Sequence, residues 1–441
     1  MTSELKQAIA TFKRIEKAWT AEDKNSDDYL AAVCFYENMS YRLFETAKHD
    51  RLIGFRIIMR LYKRIFEHSN DAIRKLEEQG DTIIVGGIIK TRENVIEYIQ
   101  RSSRANIHSY IAKDFIPQLK RGKRKFMLAL LPFALRQAFR CVTDFKRLNV
   151  ALSIYEVAEI AFILHYIREH RIKHVYDFVP YEKDGNLMSL VLKQEGITIT
   201  KIPSSGPLAT HNRILLGDEI ICSTPYHYEE QKKFRDSLRA QTFTLWPPER
   251  AFLYFDRYTT HPTPQAYTLG FYSHGDWLRR EEKHSEHGRK VGEAEQAILK
   301  YLSNFVAEYP QYKLIVFPHP REKKKEISEK SLQFYTKAIG NSNFEMMNEN
   351  VGTAYNFERV DIAVAAFSTI LYERLFCGYK TLIGNIGLSD FPMNGSTLNN
   401  ICFGDYEEMK KLIELYGAHD EDFYFNHSDL DDYRYTHYPK P

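Results

Sequence analysis

The sequence predicts an α/β protein with two open parallel sheets, preceded by a helical N-terminal region. Strand-like apolar runs alternate with helical patterns from about residue 150 onward. A Pro-rich stretch without periodicity, 246–267, separates two such series. The 441 residues also exceed the roughly 250–300 at which one hydrophobic core stops growing. We therefore expect two α/β domains, with the carboxyl ends of their strands facing a shared cleft.

Composition is that of an ordinary globular protein. Hydrophobic residues make up 44% and charged residues 27%, with 61 Lys and Arg against 58 Asp and Glu, and this balance argues against nucleic acid as a partner. The five cysteines are scattered and form no C-x-x-C pair, which favours a reducing cytoplasm over a disulfide framework. The N-terminal segment lacks the apolar core of a secretory signal, and the longest apolar run, 126–135, is too short to span a membrane.

Residues 1–150 are predicted to form the helical region. Ala8, Ile9, Phe12 and Ile15 recur at helical spacing. Further on, a basic cluster adjoins the apolar run, and three interpretations stay open: docking on an anionic membrane, binding an anionic polysaccharide, or a solvated loop before a core helix. The cluster consists of Lys120, Arg121, Lys123, Arg124 and Lys125.

The two predicted domains span 151–245 and 268–441. Each predicted element is a short apolar run or an amphipathic stretch bounded by turn residues. The predicted strands span 173–179, 197–202, 219–223, 268–274, 313–319, 345–348, 361–367 and 380–384, followed by a short strand before the last helix. The predicted helices span 150–170, 186–194, 226–240, 290–308, 323–339 and 369–377, and a final helix has an Asp at its N-terminal end.

Histidines follow the first two strands of the second domain. His274 and Gly275 end the first strand, and the glycine allows a close approach of the backbone. His319 and Pro320 end the second strand, where a ring N–H can donate to a phosphate oxygen and the proline stiffens the turn. An incidental histidine in a surface turn is the alternative at both places.

A hydroxyl pair lies where a buried strand of the second domain meets a helix. Ser368 and Thr369 are N-caps by default, and the same geometry makes an anion site from hydroxyls, backbone N–H groups and the helix dipole. Glu373, one turn further on, could reach the hydroxyls of a ribose or lie on a solvated face.

An acidic pair follows a strand of the first domain. Glu182 and Asp184 stand just before a glycine, and a carboxylate there can take a proton from an attacking hydroxyl. A simple turn is the alternative.

Together these clusters resemble the short motifs of bacterial sialyltransferases of the GT-B type, which have two Rossmann-like domains facing a cleft, and of the related CMP-Kdo and capsule-polysaccharide transferases. That family carries an acidic pair followed by glycine, then a His-Pro dipeptide, then a Ser-Ser or Ser-Thr pair. The same order is found in 182–185, 319–320 and 368–369, and the resemblance spans roughly 170–410. Lys183 separates the two acids here, so the identity of the base stays open between Asp184 and Glu182.

The resemblance implies an inverting transfer of a sialic acid-type sugar or Kdo from a CMP-activated donor to lipopolysaccharide or capsule. Asp184 or Glu182 would be the base, His319 would bind or protonate the leaving phosphate, and Ser368 and Thr369 would hold that phosphate. Residues 151–245 would serve the acceptor and 268–441 the donor, with a glycan or lipid-linked glycan as acceptor. We expect no cofactor and no metal, because no D-x-D motif lies at a strand end. The expected location is the cytoplasm, peripheral on the inner face of the cell membrane.

Other activities fit the same sequence. A CDP-glycerol or CDP-ribitol type polyol-phosphate transferase shares the fold. A UDP-hexose transferase is less favoured because no Gly-rich phosphate loop is evident. A non-catalytic nucleotide-binding protein is the alternative outside enzymes.

Overall fold

The computed structural model shows two compact units, residues 1–223 with 227–244 and residues 224–226 with 245–441. The acidic pair Glu182 and Asp184 and the basic cluster 120–125 lie outside the described residues. The structure describes residues 2–18, 26–32, 73–86, 92–103, 105–111, 128–129, 131–132, 135, 154–178, 185–202, 215–233, 242–252, 264–275, 277–278, 286–340, 344–347, 353–366, 368–387 and 396–439.

The first unit is built on a seven-stranded sheet. Its strands are β1 (Ile73–Lys75), β2 (Thr82–Gly86), β3 (Ile107–Ile111), β4 (His174–Phe178), β5 (Thr198–Ile202), β6 (Glu219–Cys222) and β7 (Thr242–Leu245). The described helices of this part of the chain are α1 (Ser3–Ala18), α2 (Arg92–Ser103), α3 (Ile154–His170), α4 (Gly185–Lys193) and α5 (Pro225–Lys233). The strand order is β1-β3-β2-β4-β5-β6-β7, in which β1 is antiparallel to β3 and the strands from β3 to β6 are parallel.

Helices α1, α3 and α4 pack in one core with the strands of this sheet. The predicted stripe on α1 is confirmed, because Ala8, Ile9, Phe12 and Ile15 are all buried. Arg168 of α3 fastens α1 to the unit through a 2.9 Å hydrogen bond to the side chain of Gln7.

The described part of the region 1–150, which was predicted to be helical, contains three strands beside the helices α1 and α2, so that prediction is wrong for 73–75, 82–86 and 107–111. The cause is the short apolar runs TIIVG and IHSYI, which are shorter than the roughly 10–12 residues that mark a helix by sequence pattern. Runs of this length fit a buried strand or a helix segment equally well by periodicity, and their β-branched residues favour the strand.

The order in which successive strands are added to the first sheet reverses at β2. The chain adds β3 on one side of β2 and β4 on the other, so the switch point lies between β2 and β4. Gly86, which ends β2 with φ +113°, is required here: a methyl group on it would lie 1.8 Å from the carbonyl oxygen of Phe178. Only glycine lets these two strand ends come together.

The second unit is built on a six-stranded, fully parallel sheet. Its strands are β8 (Thr268–Tyr272), β9 (Lys313–Phe317), β10 (Phe344–Met346), β11 (Ile362–Ala365), β12 (Thr381–Gly384) and β13 (Cys402–Phe403). The helices described in this part of the chain are α6 (Glu249–Phe252), α7 (Glu286–Glu308), α8 (Ser328–Ile339), α9 (Thr369–Phe376), α10 (Tyr406–Gly417) and α11 (Glu421–His427), with 3-10 turns at Thr353–Arg359, Thr397–Ile401, Asp431–Tyr433 and Tyr435–His437. The order is β10-β9-β8-β11-β12-β13, so the switch point lies between β8 and β11.

The predicted α/β class with two parallel sheets is confirmed, and most predicted elements from 150 onward are present within a few residues. Asp405 caps α10 as expected, accepting the Glu408 N–H at 2.9 Å. Helix α8 begins at Ser328, five residues later than predicted, because 320–327 form turns. The stretch predicted as a linker contains α6, whose residues Ala251 and Phe252 are buried. The facing of the two domains across a cleft stays a prediction. No helix in the described parts of the chain is long and apolar enough to cross a membrane.

A buried ion pair crosses two strands of the first sheet. The Lys201 ammonium lies 2.6 Å from the Asp177 carboxylate, and both side chains are fully shielded from solvent. The same ammonium donates to the carbonyl oxygen of Gly185 at 3.0 Å. Gly185 begins α4 and directly follows the predicted acidic pair. The hydrogen bond from Lys201 therefore connects the first residue after this pair to the sheet.

We expect Lys201→Met to destabilise the first unit by about 3–5 kcal/mol, because it leaves Asp177 buried without its lysine. Urea unfolding followed by circular dichroism measures the loss. The double variant Lys201→Met, Asp177→Leu is expected to recover most of it, since both charges are then gone. Lys173→Met, at an exposed lysine, is the control and should change stability by no more than about 0.5 kcal/mol. Equal stability of Lys201→Met and the control would contradict this account.

Candidate functional site

The second sheet brings the three predicted polar clusters of the second domain to one edge. Strands β9, β8 and β11 are neighbours and parallel, so the residues that follow them all lie at the carboxyl end of the sheet. Tyr272 pairs with Phe317 at the ends of β8 and β9, and their rings stack at 4.4 Å. His274 and His319 each come two residues after this pair. Neighbouring strands lie about 4.8 Å apart, and β8 lies between β9 and β11. The end of β11 that leads to Ser368 is therefore about 10 Å from the end of β9.

Residues 273–275 form a tight turn after β8. Gly275 has φ +68° and donates its N–H to the Ser273 hydroxyl at 2.9 Å. The N–H of His274 donates to the carboxylate of Glu295, a residue of α7 that is only 3% exposed. A methyl group on Gly275 would lie 3.3 Å from the Cβ of His319. The predicted close approach at this glycine is therefore made by the chain's own second histidine.

The turn after β9 fixes the ring of His319. The Arg321 backbone N–H donates to His319 Nδ1 at 3.2 Å. Because Nδ1 is an acceptor in this contact, the neutral ring carries its proton on Nε2. Nε2–H is the form that can donate to a phosphate oxygen, and the imidazole is half-buried while Pro320 is exposed. Of the two roles predicted for His319, this contact favours binding over proton transfer, because a proton on Nδ1 would oppose the Arg321 N–H.

Glu322 joins the two histidine-bearing loops. It is fully buried, and its carboxylate accepts the His319 backbone N–H at 2.5 Å, the Trp277 indole N–H at 2.5 Å and the Tyr335 hydroxyl at 2.7 Å. Burial raises the pKa of Tyr335 well above its usual value, and the charges of Glu322 and Glu295 add to the rise. The two buried carboxylates therefore lie close to the same phenol.

The hydroxyl pair lies where it was predicted. Ser368 is the N-cap of α9, with its Oγ accepting the Ile370 N–H at 3.4 Å, and both hydroxyl residues are half-buried. Glu373 is buried at 5% exposure rather than on a solvated face. Burial raises the pKa of Tyr272, and the charge of Glu373 adds to the rise, so this carboxylate is near the end of β8. Its contact with a ribose stays a prediction.

Glu295 and Glu322 are the residues of this edge that the sequence analysis missed. Glu322 stands three residues after His319 in the segment HPRE, the spacing at which a side chain can reach back to a backbone N–H in a tight turn. That signal was present in the sequence. Glu295 sits inside an amphipathic helix 21 residues from His274, and nothing local marks it.

The chemistry of this edge is that of a small anion site. It offers a histidine in its Nε2–H form, two hydroxyls and the N-terminus of α9. The backbone N–H groups of His274, Gly275 and His319 already donate within the protein, so they do not serve a ligand in this arrangement. Among the described residues, no group of three His, Cys, Asp or Glu is placed to hold a metal ion. Metal independence stays a prediction.

No family model matches the chain, and no curated protein matches it. Solved structures with a similar chain path include UDP-GlcNAc 2-epimerase from Neisseria meningitidis bound to UDP-GlcNAc. That match has 10% identity and a TM-score of 0.49, and it covers 80% of this chain and 96% of the epimerase.

Two further structures show the range of the likeness. An O-GlcNAc transferase mutant from Thermobaculum terrenum has 9% identity and a TM-score of 0.40, covering 98% of this chain and 94% of its own. Sucrose-phosphate synthase from Thermosynechococcus elongatus has 10% identity and a TM-score of 0.40. That match covers 80% of this chain and 94% of the synthase. The resemblance to sialyltransferases stays a prediction.

We expect Gly275→Ala to shift the side chain of His319, because the added methyl group would lie 3.3 Å from its Cβ. The positive φ of this position also strains an alanine. Gly340→Ala is a matched control: Gly340 has φ +71° with nothing within 4 Å of an added methyl group. Both variants should lose about 1 kcal/mol of stability. Only Gly275→Ala should increase the rate at which diethyl pyrocarbonate modifies His319, measured by peptide mass spectrometry. Equal rates in the two variants would contradict the contact.

Proposed function

We propose that this chain is an inverting glycosyltransferase that transfers a sialic acid-type sugar or Kdo from a CMP-activated donor to a bacterial surface glycan. One observation carries the donor side of this proposal. Three clusters predicted from the sequence to bind the donor all follow adjacent strands, next to the switch point of a parallel sheet. Open parallel sheets bind their ligands at that place.

The hydrogen-bond inventory of this edge supports a donor with a single phosphate. Three backbone N–H groups that a diphosphate would draw on are already used, by Glu295, Ser273 and Glu322. Three buried carboxylates, those of Glu295, Glu322 and Glu373, also lie nearby, and they disfavour a second phosphate charge through repulsion. The side-chain donors of this edge, the Nε2–H of His319 and the hydroxyls of Ser368 and Thr369, suit the one phosphate of a CMP-sugar.

In the proposed reaction the acceptor hydroxyl loses its proton to Asp184 or Glu182. Its oxygen then forms a bond to the anomeric carbon while the bond from that carbon to the phosphate oxygen breaks. The electron pair leaves with CMP, whose phosphate is stabilised by His319 Nε2–H, by Ser368 and Thr369, and by the dipole of α9. Docking of the basic cluster 120–125 on an anionic membrane would bring a lipid-linked acceptor to the enzyme, and this part of the proposal rests on the sequence alone.

A thermal-shift titration with CMP, CDP, UMP, UDP and GDP tests the donor. A nucleotide at one hundred times its Kd adds about 2.7 kcal/mol of stability, or about 5–10 °C in Tm for a unit of this size. We expect the largest shift with CMP and its loss in His319→Ala. His419→Ala is the control, since His419 is joined through its carbonyl to Lys380 at the opposite edge of the sheet.

Each other outcome of the titration has a definite meaning. Preference for CDP would replace the sugar transfer with transfer of a polyol phosphate. Preference for UDP would contradict the CMP-sugar proposal. An absence of any shift would contradict nucleotide binding.

We expect Asp184→Ala to lower turnover by about 10²–10⁴-fold while leaving the CMP-induced shift in Tm nearly unchanged, because a general base acts on the acceptor and not on the nucleotide. Release of CMP from a CMP-sugar in the presence of acceptor measures turnover. Glu182→Ala is measured beside it and identifies which acid is the base. Full turnover in both variants would exclude the acidic pair from catalysis.

A further inference from the structure

We infer that Glu322 is the positioning residue of the phosphate site: it holds the loops after β8 and β9 in one arrangement and thereby fixes His319. The inference rests on the proposed function, because it assigns His319 a ligand. The contacts that support it belong to the protein without any ligand.

The donors that Glu322 gathers come from three separate segments. Trp277 belongs to the loop after β8, His319 to the loop after β9, and Tyr335 to α8. The Trp277 indole also stacks on Phe334 of α8 at 4.5 Å between ring centres. One fully buried carboxylate therefore connects both loops to the same helix.

The chemistry of these contacts makes the arrangement stiff. None of the partners of Glu322 among the described residues is a lysine or an arginine; the carboxylate is surrounded by neutral N–H and O–H donors. Hydrogen bonds to an ionised acceptor are short and roughly twice as strong as neutral ones. If the acceptor is lost, three donors are left without it in the protein interior, so each alternative arrangement is costly.

The link to His319 is direct. Its backbone N–H is held by Glu322, its Nδ1 accepts from Arg321, and its Cβ lies against Gly275. The carbonyl of His319 in turn accepts the N–H of Glu322 at 2.8 Å, which closes the turn. The position of the ring, and with it Nε2–H, therefore follows from Glu322 through the main chain. Glu322 acts through His319 and is not itself a catalytic residue.

Glu322→Gln tests the inference with little change in volume. The amide offers one oxygen and one NH2 group in place of two oxygens, so at least one of the three donors must face another donor. Glu326→Gln is the matched control, because Glu326 is an exposed glutamate in the next turn. Tyr335→Phe removes one donor and leaves those of Trp277 and His319, so its effect should fall between the two.

The first measurement uses the protein without ligand. In a 15N-tryptophan sample, the indole signals of the chain's three tryptophans are recorded by NMR, and Trp277 is assigned from Trp277→Phe. We expect the Trp277 indole proton to move upfield and to exchange faster with solvent in Glu322→Gln, and to stay unchanged in Glu326→Gln. An unchanged Trp277 signal in Glu322→Gln would overturn the inference, whatever the protein binds.

The second measurement is the Kd for CMP, by isothermal titration of the same variants. We expect Glu322→Gln to weaken binding by about tenfold or more, since loss of one hydrogen bond to a charged group such as a phosphate has an effect of this size. Tyr335→Phe should weaken it less and Glu326→Gln not at all. Equal Kd values for Glu322→Gln and the parent protein would overturn the positioning role and leave the proposed function standing. If the parent protein itself binds no CMP, the proposed function and the phosphate site fail together, and the tryptophan signal then decides only whether Glu322 holds the two loops in one arrangement.

Discussion

A buried backbone N–H needs an acceptor, and the two histidine loops of the second sheet depend on this requirement. An unsatisfied donor in the interior costs about 1–3 kcal/mol. Both loops meet the need with an acidic side chain from a helix or a neighbouring turn, Glu295 for His274 and Glu322 for His319. Without these carboxylates, the N–H of His274 in the tight turn at Gly275 and the buried indole N–H of Trp277 would lose their acceptors.

The same two carboxylates restrict what the edge can bind. They add negative charge behind a place whose remaining groups are donors, so an anion gains less there than the donors alone would suggest. They also leave the side chains, and not the main chain, to meet a ligand. The site that we propose would therefore select by the number of charges on its ligand, because each further charge would meet the same repulsion with fewer donors to offset it.

Much of the second unit could be predicted from sequence because its signals are local. Buried parallel strands such as Lys313–Phe317 are short apolar runs, and the caps at Ser368 and Asp405 are marked by their own residue types. What could not be predicted depends on pairing across long separations. The strand Thr82–Gly86 is recognisable only through its partners at 107–111 and 174–178. The role of Glu295 appears only when α7 packs against the sheet and its carboxylate reaches the N–H of His274.

The packing of α1 has a consequence for synthesis of the protein on the ribosome. Its apolar stripe is buried against α3, which begins at Ile154, 136 residues after α1 ends at Ala18. At about 5–20 residues per second, that partner emerges about 7–27 s after the helix itself. During this interval the apolar stripe of α1 lacks the helix that covers it in the folded unit, which makes it a suitable substrate for chaperones that bind apolar surfaces. The core around α1 is thus completed only after α3 has been synthesised.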